Sequence, residues 1–164
     1  MRRIDVRDGI RLAVEVHGEG EPLVLIMGIG AQLVFWPADL IQGLVRQGFQ
    51  VITFDNRDCG LSTRFDDAPM PAIPATALRA KMGLAPKTAY TLHDMADDVA
   101  GLMDHLGLER SHIVGTSMGG MIAQLMAIFY PERLYSLTSI MSSSGNRHLP
   151  TATPAATGTS PNTP

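Results

Sequence analysis

The hydrophobic pattern changes period several times along the chain, and each change marks an element. Ile4 to Val6 and Ile10 to Val16 alternate apolar and polar positions on either side of Asp8-Gly9, a period of two that predicts a half-buried β-hairpin. After the turn-forming Gly18-Glu19-Gly20-Glu21-Pro22 comes the unbroken run Leu23-Val24-Leu25-Ile26-Met27. Its length fits a strand covered on both faces, as in a parallel sheet. The loop Gly28-Ile29-Gly30-Ala31 leaves that strand. Pro37 to Gln47 then predicts a helix with Leu40, Ile41, Leu44 and Val45 on one face, Pro37 near its first turn and Gly48 ending it. Gln50 to Phe54 is a second buried-strand candidate, which completes a strand-helix-strand unit.

Residues 63 to 90 contain Pro69, Pro71, Pro74 and Pro86 with only a short helical hint at Ala77 to Met82, and read as an irregular excursion beside a binding site. Thr91-Leu92-His93-Asp94 has the form of a capping box. Leu92, Met95, Ala96, Val99, Leu102, Met103 and Leu106 follow at helical spacing up to Gly107. Ser111 to Val114 predicts a strand, Met118 to Tyr130 a helix that stops before Pro131, and Leu134 to Met141 one more strand. From Ser142 onward small and polar residues dominate. The last fifteen residues hold four Pro and five Thr, so 149–164 is expected to be a disordered tail, leaving 1–148 as a single domain.

The chemistry concentrates at Gly115-Thr116-Ser117-Met118-Gly119, where the predicted strand turns sharply into the predicted helix. Such a turn holds its serine in a strained backbone conformation and admits only small neighbours. It leaves Ser117 exposed at the tip, beside free amides and the positive end of the helix dipole. That placement suits a nucleophile whose attack creates an oxyanion.

Composition narrows the alternatives. With 164 residues, 45% of them hydrophobic, and a net charge of −3, one globular core is expected and the basic footprint of nucleic-acid binding is missing. No apolar window approaches the roughly 20 residues needed to cross a bilayer, and the charged N-terminus lacks the apolar core of a signal peptide. No membrane partner is expected. The single cysteine, Cys59, excludes an internal disulfide and fits a reducing compartment such as the cytoplasm. No zinc-ligand spacing is present, and Gly28-Ile29-Gly30 lacks the third glycine of a dinucleotide loop, so neither metal nor cofactor is expected.

Three motifs in order resemble the α/β-hydrolase family over about residues 3 to 148, and within it the small bacterial esterase-like branch. They are Leu25-Ile26-Met27-Gly28-Ile29-Gly30, where the family often has His-Gly; Asp55-Asn56-Arg57-Asp58-Cys59-Gly60-Leu61-Ser62, where Asp58 replaces the usual glycine; and the turn from Gly115 to Gly120. The resemblance implies a mostly parallel sheet with an antiparallel N-terminal hairpin, ending after about the sixth strand. It also implies hydrolysis of a small ester or acyl substrate, with Ser117 as nucleophile and the backbone amides of Met118 and Ile29 as the oxyanion hole.

A serine needs a base, and the base needs an orienting acid, which the family supplies in the order serine, acid, histidine. After Ser117 the chain has one carboxylate side chain, Glu132, and one histidine, His148. Glu132 lies a whole helix away, roughly 20 Å, too far for the triad acid. His148 is the weak remaining base candidate: its preceding strand should end on the Ser117 edge, but it opens the flexible tail and matches no family position. The first reading is therefore a serine hydrolase whose triad acid and histidine lie outside this chain. The alternative is a catalytically inactive truncated fragment or pseudoenzyme. His17, His93, His105 and His112 read as structural, and Cys59 as a small loop or core residue. The segment 63 to 90 and the loop Ala31 to Trp36 are expected to flank the pocket, with Phe35, Trp36 and Met118 suggesting an apolar substrate. Without later strands, Leu134 to Met141 would be an open edge, and self-association through it is expected.

Overall fold

The alternation around Asp8-Gly9 produces β1 (Arg2–Arg7) and β2 (Ile10–His17), joined by a turn whose central residues both take left-handed φ, 48° and 76°. Only the mirror-image turn with that geometry matches the twist of the paired strands. The computed structural model describes residues 1–68, 79, 82, 88–146 and 149. In order follow β3 (Glu21–Ile26), a single 3-10 turn at Leu33–Phe35, α1 (Ala38–Arg46), β4 (Phe49–Phe54), α2 (Leu92–His105), β5 (Ser111–Thr116), α3 (Met118–Phe129) and β6 (Leu134–Ile140). The tail after Leu149 and most of the 63–90 excursion, including nearly all of the helical hint, lie outside the described residues.

Among the described residues six strands form one sheet in the order β1-β2-β4-β3-β5-β6. β1, β2 and β4 pair antiparallel, while β4, β3, β5 and β6 run parallel. This is the α/β-hydrolase arrangement, with the antiparallel hairpin at one edge. Alternate residues of the central strands feed two cores. Val24, Ile26, Ile52, Phe54 and Ile113 face α2 and α3; Leu23, Leu25 and Val51 face α1. The uninterrupted apolar runs thus arise because β3 and β4 are covered on both sides.

Two expectations change. Leu40 is 42% exposed, so the face that α1 buries is Ile41 with Leu44 and Val45 packed beside it. Pro37 stands just before the first turn of α1, as expected. Trp36 does not border a pocket: it is 7% exposed and packs with Leu23, Leu25, Ile41 and Val51, because the 3-10 turn folds its indole under the sheet.

The capping box at α2 has both arms. Thr91 Oγ1 accepts from the Asp94 amide at 3.4 Å, and Asp94 Oδ2 accepts from the Thr91 amide at 2.7 Å. The Thr91 hydroxyl also donates to Asp94 Oδ2 at 2.7 Å, and the hydroxyl and amide of Thr91 together hold the Asp94 carboxyl below its ordinary range.

Candidate active site

β5 turns into α3 through Ser117, whose φ is 53° and ψ −119°. A non-glycine residue there carries about 1–3 kcal/mol of strain, so the surroundings must enforce it. They do so by backbone contact. A Cβ added to Gly115 would stand 2.1 Å from the Gly119 carbonyl oxygen, and one added to Gly119 would stand 2.2 Å from that of Ile26. Strand and helix can approach this closely only with glycine at both positions. The Ser117 amide donates to the Ile140 carbonyl at 2.9 Å, which places the C-terminal end of β6 beside the turn.

Ser117 is half-buried rather than fully exposed, because the loop after β3 lies over it. A Cβ on Gly28 would meet Ser117 Cβ at 3.1 Å and Oγ at 3.6 Å. The Gly28-Ile29 turn and the Met118 start of α3 therefore flank the serine. The first amides of a helix have no carbonyl one turn earlier to bond, so the Met118 amide can serve a ligand.

The polar loop after β4 fixes that flanking turn. Asn56 Nδ2 donates to the Met27 carbonyl at 3.0 Å. Buried Asp55 accepts from the Leu33 amide at 2.7 Å and from the Leu61 amide at 2.9 Å, tying both loops to the end of β4. Gly60 is required because a Cβ there would sit 2.0 Å from the Asp55 carboxylate. Arg57 reaches α2 and holds Asp98 through two bonds of 2.6 Å. Both side chains are buried. Cys59 lies in the loop with its thiol against the Ala31 carbonyl at 3.4 Å. Burial and the neighbouring Asp55 push this thiol up, which keeps it protonated and unreactive.

Ile29, Leu92, Met95 and Met118 form the apolar part of a cleft of about 580 Å³, and Asn56, Asp58 and Tyr90 its polar part. Ile29 and Met118, which follow Gly28 and Ser117 in the chain, both line this cleft. Phe35 is 64% exposed and does not line it.

The remaining candidates are dispersed. His112 sits at the opposite edge of the sheet, 2.7 Å from Ser136 Oγ and 3.4 Å from Glu21. His93 packs its ring on Phe129, His105 ends α2, and Glu132 lies beyond the far end of α3. His148 lies outside the described residues. Among the described residues, Ser117 Oγ has no hydrogen-bond partner, no cluster of three or more His, Cys, Asp or Glu is placed to hold a metal ion, and no helix is long and apolar enough to cross a membrane.

Sequence reasoning missed Asp98 and Tyr90. A carboxylate at position 98, within the apolar stripe between Met95 and Leu102, was the available signal: a charge on a buried helix face requires a partner.

The family model for the alpha/beta hydrolase fold matches residues 21–160. Rhodomycin D methylesterase DauP of Streptomyces sp. (strain C5) is 31% identical over 141 residues, covering 85% of this chain and 41% of the relative. A thermophilic esterase from Thermogutta terrifontis superposes with a TM-score of 0.67 at 30% identity, covering 87% of this chain and 46% of that one. A hydrolase from Pseudomonas aeruginosa PA01 gives a TM-score of 0.69 at 28% identity, with coverage of 87% and 46%. The chain spans less than half the length of these relatives.

Proposed function

Because the chain belongs to the alpha/beta hydrolase fold family, we propose that it carries the nucleophile half of a serine hydrolase for small carboxylic esters. Ser117 is the nucleophile, and the Met118 and Ile29 amides receive the oxyanion. The observation that carries the proposal is the enforced left-handed conformation of Ser117 at the strand-to-helix turn, with Gly28 packed against its side chain. The esterase and methylesterase relatives point to the same bond.

In this reading Oγ attacks the ester carbonyl carbon and its proton passes to a base. The carbonyl oxygen gains charge beside the two amides, and the alkoxide leaves to form an acyl-serine that water then hydrolyses. His148 is the base candidate within the chain. A reducing compartment such as the cytoplasm belongs to the same proposal.

An uncharged alkyl fluorophosphonate, read by intact mass, tests it. With His148 acting as the base within the chain, one adduct is expected on the native chain and none on Ser117→Ala. A folded chain that takes no adduct, or ester turnover unaltered by Ser117→Ala, overturns the hydrolase reading in favour of an inactive fragment. Slower labelling in His148→Ala would place the base; unchanged labelling would remove His148 from the mechanism.

The exposed β6 edge supports a second proposal, that copies of this chain associate. Among the described residues β6 pairs only with β5, and Tyr135, Leu137 and Ile140 are 38 to 47% exposed. The strand contains no charge or proline, the devices that protect free edges. Sedimentation should detect concentration-dependent dimers, weakened by Leu137→Lys. A monomer at all concentrations overturns it.

A further inference from the structure

Asp58 stands where the family resemblance expects glycine, and it lies in the wall of the cleft. Its φ is 65°, a conformation that glycine adopts freely and aspartate tolerates. Its carboxylate accepts from the Phe65 amide at 3.1 Å and from the Tyr90 hydroxyl at 3.1 Å. Tyr90 lines the same cleft. Burial and the adjacent Asp58 push its phenol up, so Tyr90 remains a donor and holds the carboxylate in place. Arg57, the nearest cation in the wall, is committed to Asp98. Among the described residues, which include neither of the two lysines, no Arg or His forms an ion pair with Asp58.

The exposed Asp58 carboxylate, held by two donors in the wall of a cleft that Ile29, Leu92, Met95 and Met118 line, places one negative charge at the polar end of that cleft, beside the Arg57–Asp98 pair. Two acceptor oxygens bound by one donor each retain lone pairs for a further donor. We propose that the Asp58–Tyr90 pair is a specificity determinant, selecting esters whose chain ends in an ammonium or another hydrogen-bond donor and rejecting those ending in a carboxylate. The proposal rests on the hydrolase reading only in assigning the cleft to the substrate. Attraction and repulsion by one charge in a partly hydrated site give a discrimination of about tenfold between ligands of opposite charge.

Three uncleavable probes of matched length test this with the full chain by isothermal titration: 5-aminopentanoic acid N-methylamide, hexanoic acid N-methylamide and glutaric acid mono-N-methylamide. The ammonium probe is expected to bind about tenfold more tightly than the carboxylate probe, with the neutral one between them. Asp58→Asn keeps an acceptor for the Phe65 amide, and Asp58→Gly suits the left-handed backbone. Either should reduce the ratio to within about twofold. Equal binding of the charged probes, a ratio that survives both substitutions, or no binding of any probe overturns the assignment. Fluorophosphonate labelling of Ser117 on the same samples reads the hydrolase proposal separately, since the titration needs no activated serine.

Discussion

Gly119→Ala is expected to destabilise the chain by about 3 kcal/mol, toward the upper end of overpacking costs, and to abolish labelling of Ser117. The added methyl would stand 2.2 Å from the Ile26 carbonyl oxygen and 2.7 Å from that of Met27. Both atoms belong to backbone at the end of β3, so no side chain can rotate away, and α3 must lift off the strand. That movement takes the first turn of α3 away from Gly28 and dissolves the arrangement that flanks Ser117. For a domain of this size the cost corresponds to about 6–12 °C in melting temperature. Gly43→Ala supplies the opposite sign: in the interior of α1 the nearest atom to an added Cβ is the far end of Arg46, 3.9 Å away. Removing glycine's backbone freedom there should stabilise by about 0.5–1 kcal/mol. Thermal melts of the two variants, with fluorophosphonate labelling of each, check the pair. A Gly119→Ala chain that melts and labels like the native one would show that the strand-helix contact does not set the serine's conformation.

The contrast between these glycines explains what the sequence alone could reveal. Short-range features were legible because their cause is local. The hairpin at Asp8-Gly9 needs left-handed residues, and the box at Thr91 to Asp94 closes within one turn. Gly115 and Gly119 announce a strand and helix in contact. The burial of β3 and β4 was legible for a different reason: a strand covered on both faces cannot afford polar alternation. What could not be read were pairings between distant segments. Trp36 lies beside a loop expected at the pocket, yet the 3-10 turn at Leu33–Phe35 sends its ring to the α1 side of the sheet. The polar loop from Asp55 to Ser62 was recognised as a motif. Its work, anchoring the Leu33 amide and the Met27 carbonyl, depends on β4 and β3 being neighbours. The same holds for Asp58 and Tyr90, 32 residues apart, whose contact depends on where the chain re-enters after its excursion.

Arg57 and Asp98 are the energetically weightiest of these hidden pairings, and removing them one at a time should not be symmetrical. Asp98 is 2% exposed and Arg57 8%, with two bonds of 2.6 Å between them. Arg57 also donates to the Asp94 carbonyl and lies against the rings of Phe65 and Tyr90. Breaking a buried pair by deleting one partner costs about 3–5 kcal/mol, mostly from the charge left behind. Asp98→Ala leaves a guanidinium that cannot shed its proton at any ordinary pH, so the full cost is expected. Arg57→Ala leaves a carboxylate that can bind a proton and become neutral. In the native chain, burial already raises the Asp98 carboxyl above its ordinary range, with Arg57 and Arg7 pulling it back and Asp94 raising it further. Loss of Arg57 should raise it more. A carboxyl with a raised folded-state pKa binds more protons in the native than in the unfolded chain within the window between its two values. Stability in that window therefore falls as pH rises and recovers as pH drops toward the ordinary carboxylate value. Urea titrations should find Asp98→Ala poorly stable at every pH from neutral to mildly acid. Arg57→Ala should approach the native chain as the pH is lowered. Parallel pH profiles for the two variants would mean that the lost cost is packing rather than an uncompensated charge.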